Sequence, residues 1–240
     1  MSPITDVVSL GYNCRTTRRV RDYFGTEEAY PFDWWVSPMK GLIGVLLEWD
    51  VDRLYDPAVL AEVRSGEQIA YLRHGRYGIK FMHDFPSDQG RVRPNWREHL
   101  PEAKSRMTHL MAKFDALNSP DRKVLFYREV GPSDRAVLEH CKGLRRLVLA
   151  HTPLAQCNFL LISSTGIKAP RWTSLSINDP LEEPWSGDPE IWDSALASLG
   201  YTLSPEEKVP ETTSNTGRDV GERPEPLTQS GQRPDLLLRE

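Results

Sequence analysis

Short apolar runs rich in β-branched residues recur along this chain, separated by stretches with helical periodicity. No other feature restricts its possible folds so strongly. Residues 6–10 (DVVSL), 123–128 (KVLFYR), 158–163 (NFLLIS) and 173–177 (TSLSI) are too short for helices and too apolar for surface loops. They read as buried strands. Residues 77–85 alternate instead, with Tyr77, Ile79, Phe81, His83 and Phe85 on one face of a further strand. Asn13 can cap a helix over 14–24 that stops at Gly25. Residues 41–49 place Leu42, Val45, Leu46 and Trp49 on one helical face. Leu100, Ala103, Met107, Leu110, Met111, Phe114 and Leu117 form the stripe of a long amphipathic helix. Ser133 caps a helix over 133–146, and 189–199 carries Ile191, Trp192, Leu196 and Leu199 on another. The expected fold is a single α/β domain over residues 1–203, its mixed or mostly parallel sheet flanked by helices.

From 204 to 240 the composition changes to Pro, Glu, Thr, Ser, Gly and Arg without an aromatic residue. Such a segment buries too little apolar area to offset its ordering entropy and reads as a disordered tail. Its terminal Leu236-Leu237-Leu238 is an apolar run that can contact a protein partner. A net charge of −4 gives no electrostatic basis for general nucleic-acid binding. No apolar run approaches the ~20 residues of a membrane span, and the start of the chain lacks a secretory pattern. The three cysteines, Cys14, Cys141 and Cys157, are an odd number, which points to a reducing cytoplasm rather than a disulfide framework. Cys141 falls on a helical apolar stripe, and no His/Cys spacing suggests zinc. There is no phosphate-binding P-loop and no dinucleotide glycine motif, so neither a cofactor nor a metal is expected.

The segment SLGYNC (9–14) sets a cysteine just past a strand and a glycine turn, at the first turn of a helix. A helix N-terminus lowers a thiol pKa, and Arg15, Arg18 and Arg19 follow directly, so the position favours thiolate. It equally suits a small cysteine packed beneath the helix. A thiol acyl-transfer centre also needs a histidine base and a third polar group to fix the imidazole. Of six histidines, His83 is the best placed, near a strand end; the other reading of His83 is a hydrogen-bonded core residue. His74 is a second choice. For the orienting carboxylate, Asp33 is preferred over Asp84, which neighbours His83 but would face the opposite side of a strand, and over Asp179. Asp33 can also simply stabilise a turn. The Cys14 N–H and Asn13 are candidate oxyanion donors. Trp34 could wall a cleft, and Arg128 and Glu129, at a strand's carboxyl end, could hold substrate.

SLGYNC, YPFDWW (30–35) and YGIKFMHDF (77–85), continued by KVLFYRE (123–129), resemble the bacterial papain-like cysteine peptidases over roughly residues 5–200. The resemblance implies Cys14 as nucleophile and His83 as base. The expected function is a Cys-dependent hydrolase or acyltransferase acting on an amide or thioester through an acyl-enzyme on Cys14, with a peptide or acyl-donor small molecule as substrate. Two rivals stand beside it. One is a non-catalytic binding or scaffold protein of the same fold. The other is a sugar- or nucleotide-processing enzyme in which Arg128 and nearby acids act and Cys14 is structural.

Overall fold

The computed structural model describes residues 2–179 and 187–204, all within one compact unit. The chain begins β1 (Ser2–Ile4), β2 (Asp6–Ser9), α1 (Cys14–Phe24), β3 (Trp35–Val36), α2 (Met39–Glu48) and α3 (Val51–Leu54). Five short strands follow: β4 (Leu60–Ser65), β5 (Gln68–His74), β6 (Lys80–Phe81), β7 (Ser87–Asp88) and β8 (Arg91–Val92). A 3₁₀ turn (Trp96–His99) then leads into α4 (Leu100–Asp115), β9 (Lys123–Glu129), α5 (Val137–His151) and β10 (Gln156–Ser163). The described chain closes with β11 (Thr173–Ser176), α6 (Pro189–Ala197) and β12 (Tyr201–Leu203).

Four strands, in the order β11-β10-β9-β2, form a wholly parallel sheet. Their buried runs reflect cover on both faces. Because strand side chains alternate, β9 sends Val124 and Phe126 into one apolar cluster and Leu125 and Tyr127 into another. The first cluster holds the inner faces of α2, α4 and α5, including Leu42, Met107, Phe114 and Leu144. The second holds Val20 of α1 with Trp192 and Leu196 of α6. Each such large apolar side chain contributes about 1.5–3 kcal/mol on burial. The result is a three-layer α/β arrangement in which Arg128 and Glu129, the next two residues of β9, leave the sheet on opposite faces.

The second sheet is antiparallel, ordered β3-β6-β5-β8-β7 with β4 paired to β5. Trp35, Ile69, Leu72 and Phe81 join it to the first apolar cluster. The β4–β5 hairpin was not foreseen, although its turn glycine, Gly66, has φ 62°, the left-handed region that marks such turns. Finally β1 and β12 pair in parallel, and Ser204 N–H bonds Ile4 O at 2.7 Å.

The long strand expected over 77–85 is only Lys80–Phe81. Gly78 turns the chain at φ 69°, and beyond Phe81 it bends so that Asp84 and Phe85 are both buried. A regular strand would have sent those neighbours to opposite faces. The helix expected from Ser133 starts at Val137 instead, since Asp134 is drawn inward before it. The tail expected from 204 onward lies outside the described residues, apart from Ser204 itself. Among the described residues no helix is long and apolar enough to cross a membrane.

Candidate functional site

The carboxyl ends of β2 and β9 are tied together at the point where α1 begins. Leu10 N–H bonds Tyr127 O at 2.7 Å, and Glu129 N–H bonds Gly11 O at 3.2 Å. Gly11 has φ 81°, and a Cβ there would lie 2.4 Å from Ser37 Oγ and 2.6 Å from Arg128 Nη1. Both the backbone angle and the space call for glycine. A cis Gly11–Tyr12 peptide follows. Asn13 then caps α1 as expected, its side chain accepting the Thr16 N–H at 3.1 Å. Cys14 is thus held at the first turn of a helix, at the carboxyl end of a parallel sheet, where open α/β folds build sites.

The Cys14 thiol is half-buried, and burial pushes its pKa up. The backbone N–H groups of Cys14 and Arg15 pull it down, while the Glu129 carboxylate raises it. The arginines expected to stabilise thiolate turn elsewhere. Arg15 pairs with Asp179, Arg18 with Asp22 at 3.0 Å, and Arg19 donates to Gly187 O. Arg18, one turn on from Cys14 and on its face of the helix, is held by Asp22. Cys14 is therefore a thiol at neutral pH and needs a base to ionise.

Glu129 reaches α1 from β9: it accepts from Thr16 Oγ1, and the Asn13 amide donates to it. Burial raises its pKa against those donors and Arg15. Asn13, expected as an oxyanion donor, is thereby occupied as both a cap and a Glu129 partner. Arg128, on the other face, is fully buried. It donates to Leu10 O (2.8 Å), Ser37 O (2.7 Å), Ser37 Oγ (3.2 Å) and Asp134 Oδ2 (2.9 Å). With no exposed face, its guanidinium cannot meet a substrate. Arg128, expected to hold substrate, positions the Gly11 turn and is committed to protein acceptors. Two partners that complete this arrangement, Ser37 and Asp134, gave no sequence signal beyond being polar residues in loops. Tyr12, within SLGYNC, sets its ring 6.0 Å from the Arg128 guanidinium carbon.

His83 is exposed, and among the described residues its ring makes no hydrogen bond. Its edge meets Trp34 at 5.7 Å between ring centres, and Trp34 lies 5.4 Å from the Arg21 guanidinium carbon. Arg21 stands seven residues, about 10 Å, along α1 from Cys14. No hydrogen bond joins Cys14 to a histidine among the described residues. Partial desolvation of the ring lowers the His83 pKa, and Asp84 raises it in part, so the imidazole is a neutral acceptor near pH 7. Asp84 is buried and turned away, accepting from Trp35 Nε1 at 3.2 Å and from Tyr55 OH. Asp33 is likewise engaged elsewhere, accepting from Arg21 Nη2 and Tyr30 N–H, both at 2.7 Å. His74 stacks on Tyr77, with ring centres 4.2 Å apart. Asp179 takes Arg15 and the Trp192 indole at 2.7 Å.

Asp33 has a measurable consequence. Burial pushes its pKa up to about 7, outweighing Arg21 and the Tyr30 N–H. The folded chain then holds a proton that the unfolded chain releases near its ordinary 3.8. Stability from this group therefore falls as pH rises from about 4 to about 7 and is constant above that. Asp33→Asn keeps an acceptor for Arg21 and Tyr30 but does not titrate. Urea unfolding across that window should give a flatter curve for the variant, by on the order of 1 kcal/mol or more. Parallel curves would contradict the assignment.

Searches of curated proteins and of solved structures each found no match. The sequence profile that does match covers residues 5–160, from the start of β2 to the middle of β10. It therefore takes in Cys14, Trp34, His83 and Glu129 together. On that match the chain belongs to the family described as "Putative papain-like cysteine peptidase".

Proposed function

We propose that the protein is a Cys-dependent hydrolase or acyltransferase that attacks an amide or thioester through Cys14. The observation that carries this reading is Cys14 itself, a half-buried thiol at the first turn of α1, where the backbone N–H groups of Cys14 and Arg15 work against the rise in its pKa. The Sγ proton passes to a base as sulfur bonds the carbonyl carbon, and the carbonyl π electrons move onto oxygen. The cluster of N–H groups at the helix start stabilises that oxyanion. Its collapse expels the amine or thiol, which takes the proton back from the base. Water, an amine or a hydroxyl then cleaves the acyl–sulfur bond, which separates hydrolysis from transfer. Among substrates, a peptide or a small acyl donor fits, and three free thiols fit the cytoplasm.

His83 is our base, because it is exposed, neutral and, among the described residues, unclaimed by any hydrogen bond, on an irregular segment after β6. Catalytic contacts often tighten only once substrate is bound. Glu129 is the second reading, favoured by being the titratable group that acts on the Cys14 sulfur electrostatically. A thioester or activated-amide probe, read by site-resolved mass spectrometry, tests both. Wild type should carry the acyl group on Cys14, and Cys14→Ala should carry none. His83→Ala should slow acylation by about 10²-fold or more, with Glu129→Gln near wild type. The reverse order assigns the base to Glu129. Acylation spread equally over Cys141 and Cys157 would overturn the proposal.

A further inference from the structure

A groove of about 590 Å³ lies between the start of α2, the turn from β5 to β6, the loop before α5, and α5 itself. It opens on the Arg128 face of β9, the opposite face from Glu129 and α1. Its lining includes Lys40, Arg73, Arg76, Arg135 and His140. Among the described residues Lys40, Arg73 and Arg135 pair with no carboxylate, and Arg135 donates only to Pro132 O, at 2.8 Å. All three are exposed. The two acids at the groove are already committed. Glu48 is held by Arg76, by Arg53 at 3.5 Å and by the Tyr77 hydroxyl at 2.6 Å. Asp134 accepts from Arg128 and from the N–H groups of Met39 (2.7 Å) and Gly131 (3.0 Å). His140 adds a buried Nδ1 with no hydrogen-bond partner among the described residues.

We infer that this groove binds a phosphate-bearing small molecule. Unneutralised cations converging in one concavity are unusual on a chain whose net charge is −4, because like charges repel unless an anion pays for them. A carboxylate brings one negative charge, whereas a phosphate group brings up to two, with three acceptor oxygens for lysine and arginine. The volume lies within the range of small-ligand pockets. The site is independent of Cys14 chemistry, since neither the thiol nor His83 or Glu129 lines it.

Calorimetric titration of the full chain with inorganic pyrophosphate, inorganic phosphate and succinate tests this. Pyrophosphate should bind saturably, one per chain, and at least about tenfold more tightly than succinate. Binding should weaken as salt is raised. Lys40→Ala combined with Arg135→Ala should weaken pyrophosphate by about tenfold or more, while Arg64→Ala, an exposed arginine outside the groove, should not change it. Three results would overturn the inference: no saturable pyrophosphate binding, succinate binding as tightly, or an equal loss in Arg64→Ala.

Discussion

Arg128→Met should destabilise the protein by about 3–5 kcal/mol, the loss seen when one partner of a buried ion pair is removed. The side chains of Arg128 and Asp134 are 0% and 1% exposed. Methionine fills much of the volume but restores no donor. Leu10 O and Ser37 O lose their partners, and Asp134, whose side chain is 1% exposed, loses its cation. Because folded domains are stable by only about 5–15 kcal/mol, the urea midpoint should fall by a large fraction. Asp134→Asn alone should also destabilise, because Met39 N–H bonds one carboxylate oxygen while Gly131 N–H and Arg128 bond the other, and an amide supplies only one acceptor. The double variant should show a coupling of about 1 kcal/mol or more, as contacting residues do. Additive losses would mean that the two side chains act separately. The loss should reach Cys14 too, because the guanidinium fixes the carbonyl just before the Gly11 turn.

The second large effect is one in which helix propensity predicts the wrong sign. Gly41 lies inside α2, where alanine ordinarily gains up to about 1 kcal/mol over glycine. Here a Cβ would stand 2.0 Å from Tyr77 O, a backbone atom with little freedom to retreat. Gly78, which follows it, is fixed in turn by its N–H bond to His74 O at 2.8 Å. Gly41→Ala should therefore destabilise by about 2–3 kcal/mol, as overpacking does, and lower the melting temperature by several degrees. A stabilised variant would mean that α2 can move away from the β5–β6 turn. Glycine at this position is what lets the helix approach that turn closely.

These two residues also show how far the sequence could be read. The parallel sheet was legible because 123–129 and 158–163 are short, apolar and covered on both faces, so pattern alone identifies them. The start of α1 was legible because Asn13 carries its own capping chemistry. His83 was placed on a long alternating strand because Ile79 and Phe81 keep the period. Burying both Asp84 and Phe85 breaks that period, and the cause is a contact with Tyr55 and Trp35 far away in sequence. The charge state of Cys14 failed for the same reason. Three arginines follow it in the chain, yet Arg15 and Arg19 are drawn to partners distant in sequence, and Arg18 to Asp22 one turn further on. Arg128 looked like a ligand-binding residue until Asp134 and Ser37 closed over it. Local chemistry is readable where neighbours in sequence decide it, and unreadable where long-range partners do.

The pairing of β1 with β12 sets an order of events as the chain folds. Ser2 sits beside Tyr201 and Ile4 beside Leu203, so this two-stranded clasp closes a loop of nearly the whole described chain. Loop-closure entropy grows with the logarithm of length, so closing a loop of about 200 residues costs about 2–3 kcal/mol more than closing one of about ten. Three residues on each side do not offset that alone. The clasp becomes favourable only after the sheet and helices between have brought the two segments close, which makes it a late step in folding.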